Sequence, residues 1–184
     1  WVLKTATQQL RAWHDAGHPD LMVAVNLSAR QFQRGVVLKQ VETALGESGI
    51  PPSKLELELT ESVLMHDGEL VTGALRQLKA LGVKLSIDDF GTGYSSFAYL
   101  RRFKFDKIKI DQSFVHDLID DPDNAAIVRG IISLAQSLGL DVLAEGVESV
   151  AVAQRLKHLR CTYAQGYYFS RPLRPELFLE RVNA

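Results

Sequence analysis

Five polar residues, Asn26, Glu58, Asp88, Lys109 and Glu145, recur along the 184-residue chain, each separated from the next by roughly one strand-plus-helix unit. Three are carboxylic acids, and Asp89 adds a fourth beside Asp88. None is histidine or cysteine, and hard oxygen donors of this kind suit Mg²⁺ or Mn²⁺ rather than Zn²⁺. The histidines His14, His18, His66, His116 and His158 all fall in helical or connecting stretches. Carboxylates crowded together without cations repel and raise one another's pKa. Two divalent ions about 3.5–4 Å apart remove that repulsion and prepare a site for in-line attack on phosphorus. Asp88-Asp89 suits both ions, since one carboxylate can bridge them. A protonated Lys109 cannot be a ligand, but it can stabilise charge growing on phosphate oxygens. A Schiff-base role would need a neutral amine, and carboxylates around Lys109 would keep it charged.

Residues so far apart in sequence meet only if the fold gathers them. Strands are expected over Leu21–Leu27, Leu55–Thr60, Val83–Asp88, Lys107–Ile110, Asp141–Glu145 and Thr162–Phe169. Helices are expected over Thr5–Asp15, Val36–Ser48, Glu69–Leu81, Ser95–Phe103, Asn124–Leu138, Val150–Leu159 and Glu176–Val182. Asp67 and Ser95 suit N-caps, Gly82 and Gly139 suit helix stops, and Asp121-Pro122-Asp123 suits a turn. This βα alternation implies an α/β fold with a parallel sheet. Leu55, Leu57 and Leu59 alternate with Glu56, Glu58 and Thr60; Val83, Leu85 and Ile87 alternate with Lys84, Ser86 and Asp88. Strands of an open doubly wound sheet, buried on both faces, should be almost continuously apolar. A barrel explains the alternation: the apolar face packs on outer helices and the polar face lines a lumen. Lys84, Glu56 and Lys107 then lie low in that lumen, where opposite charges can pair. The five polar residues sit at strand C-termini, the rim on which α/β barrels build their sites.

The successive segments Asn26-Leu27-Ser28, Glu58-Leu59-Thr60-Glu61-Ser62, Asp88-Asp89-Phe90-Gly91-Thr92-Gly93-Tyr94-Ser95-Ser96, Lys109-Ile110-Asp111-Gln112-Ser113-Phe114, Glu145-Gly146-Val147-Glu148 and Gln165-Gly166-Tyr167 resemble, in order, the motifs of the EAL domain family. The resemblance implies a modified (β/α)8 TIM-type barrel and hydrolysis of cyclic di-GMP to linear pGpG with two Mg²⁺ or Mn²⁺ ions. It implies Asn26, Glu58, Asp88, Asp89 and Glu145 as metal ligands and Lys109 as the residue that positions the attacking water. Gln165 is implied as a second group near that water, and Glu61 as the anchor of the glycine-rich loop after Asp89. The Glu-Ala-Leu tripeptide that names the family, whose glutamate is a metal ligand, is not found at the front of this chain. Six strands are legible where such a barrel has eight. The expectation is a single EAL-type domain over residues 1–184, incomplete at its N-terminus and lacking the first two strands. The guanine-contacting residues are left unassigned.

The resemblance also implies a homodimer, formed through the loop after Asp89 and the helix beginning near Ser95, and a covalently linked GGDEF or sensory domain in a longer parent. The competing expectation is a degenerate receptor that binds cyclic di-GMP without cleaving it; the visible motifs are whole, which favours the enzyme. A formal net charge of −1 supplies no field toward DNA or a membrane surface. The single cysteine, Cys161, excludes an internal disulfide framework and suits a cytoplasmic location, whatever anchors the parent through other domains. The run Arg101-Arg102-Phe103-Lys104-Phe105 reads as a basic helix end rather than a nucleic-acid platform. Trp1 and Trp13 are expected to pack against the core or a preceding segment.

Overall fold

Alternating side chains give the strands Leu55–Thr60, Lys84–Phe90 and Lys107–Ile110 one oily face and one polar or charged face, and the tertiary structure largely buries both. In the computed structural model, which describes residues 1–33, 35–65, 68–93, 100 and 102–183, Leu55, Leu57 and Leu59 are fully enclosed. On the opposite face of the same strand Glu56 and Glu58 are buried as well. A charged face can be buried only where its charges meet partners, which a barrel lumen can provide and an open sheet covered by helices cannot.

The strands are β1 (Val23–Leu27), β2 (Leu55–Thr60), β3 (Lys84–Phe90), β4 (Lys107–Ile110), β5 (Asp141–Ala144) and β6 (Tyr163–Ala164). They pair in chain order into a six-stranded sheet, every pair parallel. Helices α1 (Val2–Asp15), α3 (Val37–Ser48), α5 (Gly68–Leu81), α7 (Pro122–Leu138), α8 (Val150–His158) and α9 (Pro175–Val182) alternate with them. Leu75, Leu78, Val128, Ile132 and Leu156 of these helices join the outward strand residues in the hydrophobic core. Each such fully buried aliphatic side chain contributes about 1.5–3 kcal/mol. Trp13 of α1 stacks on Phe178 of α9 with ring centroids 4.7 Å apart. The helix before the first strand thus touches the helix after the last, and the sheet curls round as an arc. This is an α/β, TIM-barrel-like fold.

Three short helices escape sequence reading: α2 (Ala29–Gln33), α4 (Glu61–Met65) and α6 (Gln112–His116). At five residues each, they span too little chain to show a 3.6-residue period. Helix α7 starts at Pro122, two residues before the expected Asn124, because Asp121 accepts from the Asp123 and Asn124 amides and Pro122 suits the first turn. Gly139 closes that helix in the left-handed conformation. The last strand is much shorter than the expected Thr162–Phe169. The chain turns at Gly166 (φ +154°), and the Tyr168 amide donates to the Val147 carbonyl instead of continuing the ladder. Lys84 does not join the lumen pair: its Nζ lies 3.9 Å from Met22 Sδ. Trp13 packs as expected, whereas Trp1 is 94% exposed and lies outside the core. Phe103 and Phe105 are buried edge to face against each other, which makes them core rather than a stacking surface. The expected N-caps Asp67 and Ser95 and most of the helix expected over Ser95–Phe103 lie outside the described residues.

Cys161 packs partly against the core, and burial pushes its thiol up to about 11 despite backbone hydrogen bonds that favour the thiolate. A raised acid pKa keeps the neutral form, so the thiolate stays scarce until strongly alkaline pH. Alkylation by iodoacetamide at mildly alkaline pH should therefore be slower in the native protein than in urea, and should accelerate as pH approaches about 11.

Candidate active site

The inward residues of β2, β3 and β4 form a ladder whose top rung is the site. Strand register sets Asn26 beside Glu58, Glu58 beside Ser86, and Ser86 beside Lys107. One inward step higher, the Lys109 ammonium lies 2.7 Å from Glu58 Oε2, 2.8 Å from Asp88 Oδ1 and 2.9 Å from Glu145 Oε1. Lys109, Glu58 and Asp88 are all buried. Burial alone would lower the lysine pKa; hydrogen bonds to Asp88, Glu58 and Glu145 outweigh it and hold the ammonium well above the ordinary lysine value. Three carboxylates at hydrogen-bond distance thus favour the ammonium over a neutral, nucleophilic amine. On the acidic side, burial raises Glu58 and Glu145. Lys109 pulls both back, and neighbouring carboxylates (Asp88 with Glu56, and Asp88 with Glu58, respectively) push them up again, for a net rise.

A β-bulge explains how two consecutive aspartates reach one site. Ile87 pairs with Ile108 and Phe90 with Ile110, so Asp88 and Asp89 together oppose the single residue Lys109. Strict alternation would point Asp89 away from the lumen. The inserted residue, with Asp89 at φ +53°, turns its carboxylate back instead. Aspartate tolerates that left-handed backbone better than most residues with a Cβ. One oxygen each from Asp88, Asp89 and Glu145 lie within 4.8 Å of one another. Burial raises the Asp89 pKa most, the nearby Asp88 and Asp111 add to it, and Lys109 lowers it only in part.

Asp111 is the site residue that sequence reading passed over. Its signal was present: Lys107, Lys109 and Asp111 continue one period of two past the end of β4. Asp111 also caps α6, accepting from the Ser113 amide at 2.9 Å. Gln165 donates to Glu145 Oε1 at 2.6 Å. Its backbone is held by Gly166, where a Cβ would stand 2.3 Å from the Val147 amide nitrogen and carbonyl oxygen. Beside these groups opens a cleft of about 700 Å³, lined by Asp89, Asp111, Glu145, Glu148, Tyr167 and Arg171 among others. The Arg171 guanidinium rests 4.5 Å from the Tyr167 ring centroid, a flat cationic surface facing an acidic one. Glu148 and Arg171 were likewise not singled out, because neither falls on a strand.

Of the expected site residues, Glu58, Asp88, Asp89, Lys109, Glu145 and Gln165 come together. Asn26 pairs by register with Glu58 on the edge strand but is exposed, and it borders a separate cavity of about 510 Å³ with Val25, Gln31 and Gln40. Glu61 begins α4 and is buried, with Oε2 3.2 Å from where a Cβ on Gly93 would stand; its carboxylate thus lies against the loop that follows Asp89. The clustered oxygen donors, with no nitrogen or sulfur ligand among them, fit a hard divalent cation.

Fold and site together define a parallel α/β barrel type with an acidic centre at the strand C-termini. The sequence pattern of the EAL domain matches residues 1–172, and the chain belongs to that family. It is 46% identical over 182 residues to the bifunctional diguanylate cyclase/cyclic di-GMP phosphodiesterase MucR of Pseudomonas aeruginosa, covering 99% of this chain and 27% of that protein. It is 46% identical over 173 residues to the cyclic di-GMP phosphodiesterase NbdA of the same organism, covering 94% of this chain and 22% of that one. The chain thus spans about a quarter of the length of these relatives. The solved structure of the MucR phosphodiesterase in complex with c-di-GMP superimposes with a TM-score of 0.93 at 46% identity, covering 97% of this chain and 72% of that one.

Gly166→Ala should drive a methyl group into the Val147 backbone. The expected cost is about 1–3 kcal/mol of stability, measured by urea unfolding. The Gln165–Glu145 contact should loosen with it.

Proposed function

We propose that this chain is the catalytic unit of a cyclic di-GMP phosphodiesterase that yields linear pGpG with two Mg²⁺ or Mn²⁺ ions. The observation that carries the reading is the Lys109 ammonium held by Glu58, Asp88 and Glu145 at the strand C-termini, beside an open cleft. Its relatives' names and the c-di-GMP complex of one of them point to the substrate. Asn26, Glu58, Asp88, Asp89 and Glu145 would hold the ions, with Asp111 close to Asp89. Bound there, the ions would neutralise the carboxylates and polarise a phosphate. Lys109 orients the attacking water and stabilises charge on the phosphorus oxygens. Gln165 fixes the Glu145 carboxylate and stands ready to share in orienting that water. Tyr167 and Arg171 offer a planar and cationic surface for a base and a phosphate. Glu61 anchors the loop after Asp89 through its contact at Gly93.

Residues 1–184 are proposed as one EAL-type unit within a longer protein that carries GGDEF or sensory domains, acts as a homodimer and works in the cytoplasm. Among the described residues no helix is long and apolar enough to cross a membrane.

The full-length protein with cyclic di-GMP and Mg²⁺ should release pGpG, resolved by liquid chromatography. Asp88→Asn and Lys109→Met should each lower kcat by on the order of 10²–10³. Full activity in chelator would refute the metal assignment, and tight nucleotide binding with no turnover would favour the receptor reading. The raised carboxyl pKa values carry a further consequence with a definite sign. Protons compete with cations for Glu58, Asp89 and Glu145. Mn²⁺ affinity should fall, and proton release on binding should grow, as pH drops from neutrality into the carboxylate range. Calorimetry in buffers of different ionisation enthalpy measures both.

A further inference from the structure

Beneath the candidate active site a second glutamate–lysine pair repeats the first. Lys107 Nζ lies 2.7 and 3.0 Å from the two Glu56 carboxylate oxygens, and Glu56 is only 3% exposed. The Lys107 ammonium also stands 5.1 Å from the ring centroid of Tyr163 on β6. Glu56 and Glu58 are successive inward residues of β2, as Lys107 and Lys109 are of β4. Because register sets Glu58, Ser86 and Lys107 in one row, each glutamate reaches up one inward step to its lysine. The two pairs therefore run as parallel diagonals over β3, spanning strands roughly 9–10 Å apart. Ser86 lies between them, fully buried, with an Oγ that has no hydrogen-bond partner among the described residues. A small side chain at that position lets both diagonals cross; a larger one would hold them apart.

We infer that Glu56–Lys107 is a positioning pair. It ties β2 to β4 one level below Lys109, and so seats Lys109 among Glu58, Asp88 and Glu145. The pair touches neither the cleft nor the clustered oxygens, so its effect on chemistry passes through the rung above it: Lys109, which it seats, and Glu58, which feels the Glu56 charge. The kinetic part of this inference rests on the phosphodiesterase reading; the placement of Lys109 does not.

The test uses Glu56→Gln, Lys107→Met and the double variant Glu56→Met/Lys107→Met in the full-length protein. Both single variants should lower kcat about tenfold with KM within about twofold, as expected when a reacting group is displaced rather than removed. Both should weaken Mn²⁺ binding by calorimetry. Both should speed acylation of Lys109 by N-hydroxysuccinimidyl acetate, counted by mass spectrometry. The double variant, with two apolar chains in place of the pair, should recover the melting temperature but neither kcat nor slow acylation. If the pair acted through charge alone, the two single variants would shift Mn²⁺ affinity in opposite directions. If it were only structural, the double variant would regain native kcat and acylation. Either result overturns the inference, and so do unchanged single variants. A wild-type protein without phosphodiesterase activity would sink the proposed function, while the acylation comparison would still decide the placement of Lys109.

Discussion

A protonated lysine enclosed with three carboxylates is the constraint around which this barrel is arranged. None of these charges could stay buried alone, since moving an unpaired ion out of water costs several kcal/mol. Lys109 can be buried because Glu58, Asp88 and Glu145 accept its three protons; each of them can be buried because Lys109 is there. The partners come from four different strands or strand ends, so the ionic cluster forms only when the sheet is paired in its native register. A one-residue slip of any strand would exchange its charged and apolar faces. The leucines and isoleucines on the outer face enforce that register independently. Packing outside the sheet and ion pairing inside it therefore select the same arrangement.

Among the described residues, the bulge in β3 is the one register shift between paired strands, and it lies at the site. An unbroken strand presents every second residue to the lumen, which would supply one aspartate from this position. Adding one residue between Ile87 and Phe90 supplies two. The energetic cost of a left-handed aspartate and a broken ladder falls on the residue whose carboxyl meets Asp111. Sequence periodicity could not show this, because Asp88-Asp89 looks the same whether the second aspartate points inward or outward. The resemblance named Asp89 as a ligand; the bulge is the physical reason its carboxylate comes beside those of Asp88 and Glu145.

Much else was legible because the signals were local and repeated. Alternation in β2, β3 and β4 identified the lumen face, and the positions of Glu58, Asp88, Lys109 and Glu145 at strand ends followed from it. That Glu56 would find a lysine partner low in the lumen followed too, but alternation alone did not choose between Lys84 and Lys107; the structure gives Lys107. What escaped was set by tertiary contact. Lys84 is at the right period and beside Glu56 in register, but its ammonium reaches Met22. The last strand stops short because the backbone at Gly166 is drawn against Val147, a contact between segments nearly twenty residues apart. Asp111 was missed because it lies just past a strand end, where lumen periodicity and helix capping predict the same residue for different reasons.

The charge balance of the site bears on how many cations it takes and when. Glu58, Asp88, Asp89, Asp111 and Glu145 face the single ammonium of Lys109, a formal excess of four negative charges. The upward pKa shifts of Glu58, Asp89 and Glu145 are the same excess seen from the proton's side, with burial as the largest cause and neighbouring carboxylates adding to it. One divalent cation would remove half of it, whereas two would cancel it. A dinucleotide bearing two phosphodiester charges would be repelled by the uncompensated site, and Arg171 alone offers too little to reverse that. On the proposed function, cation binding would have to precede or accompany substrate binding: carboxylates that attract a metal repel an anion when the metal is away.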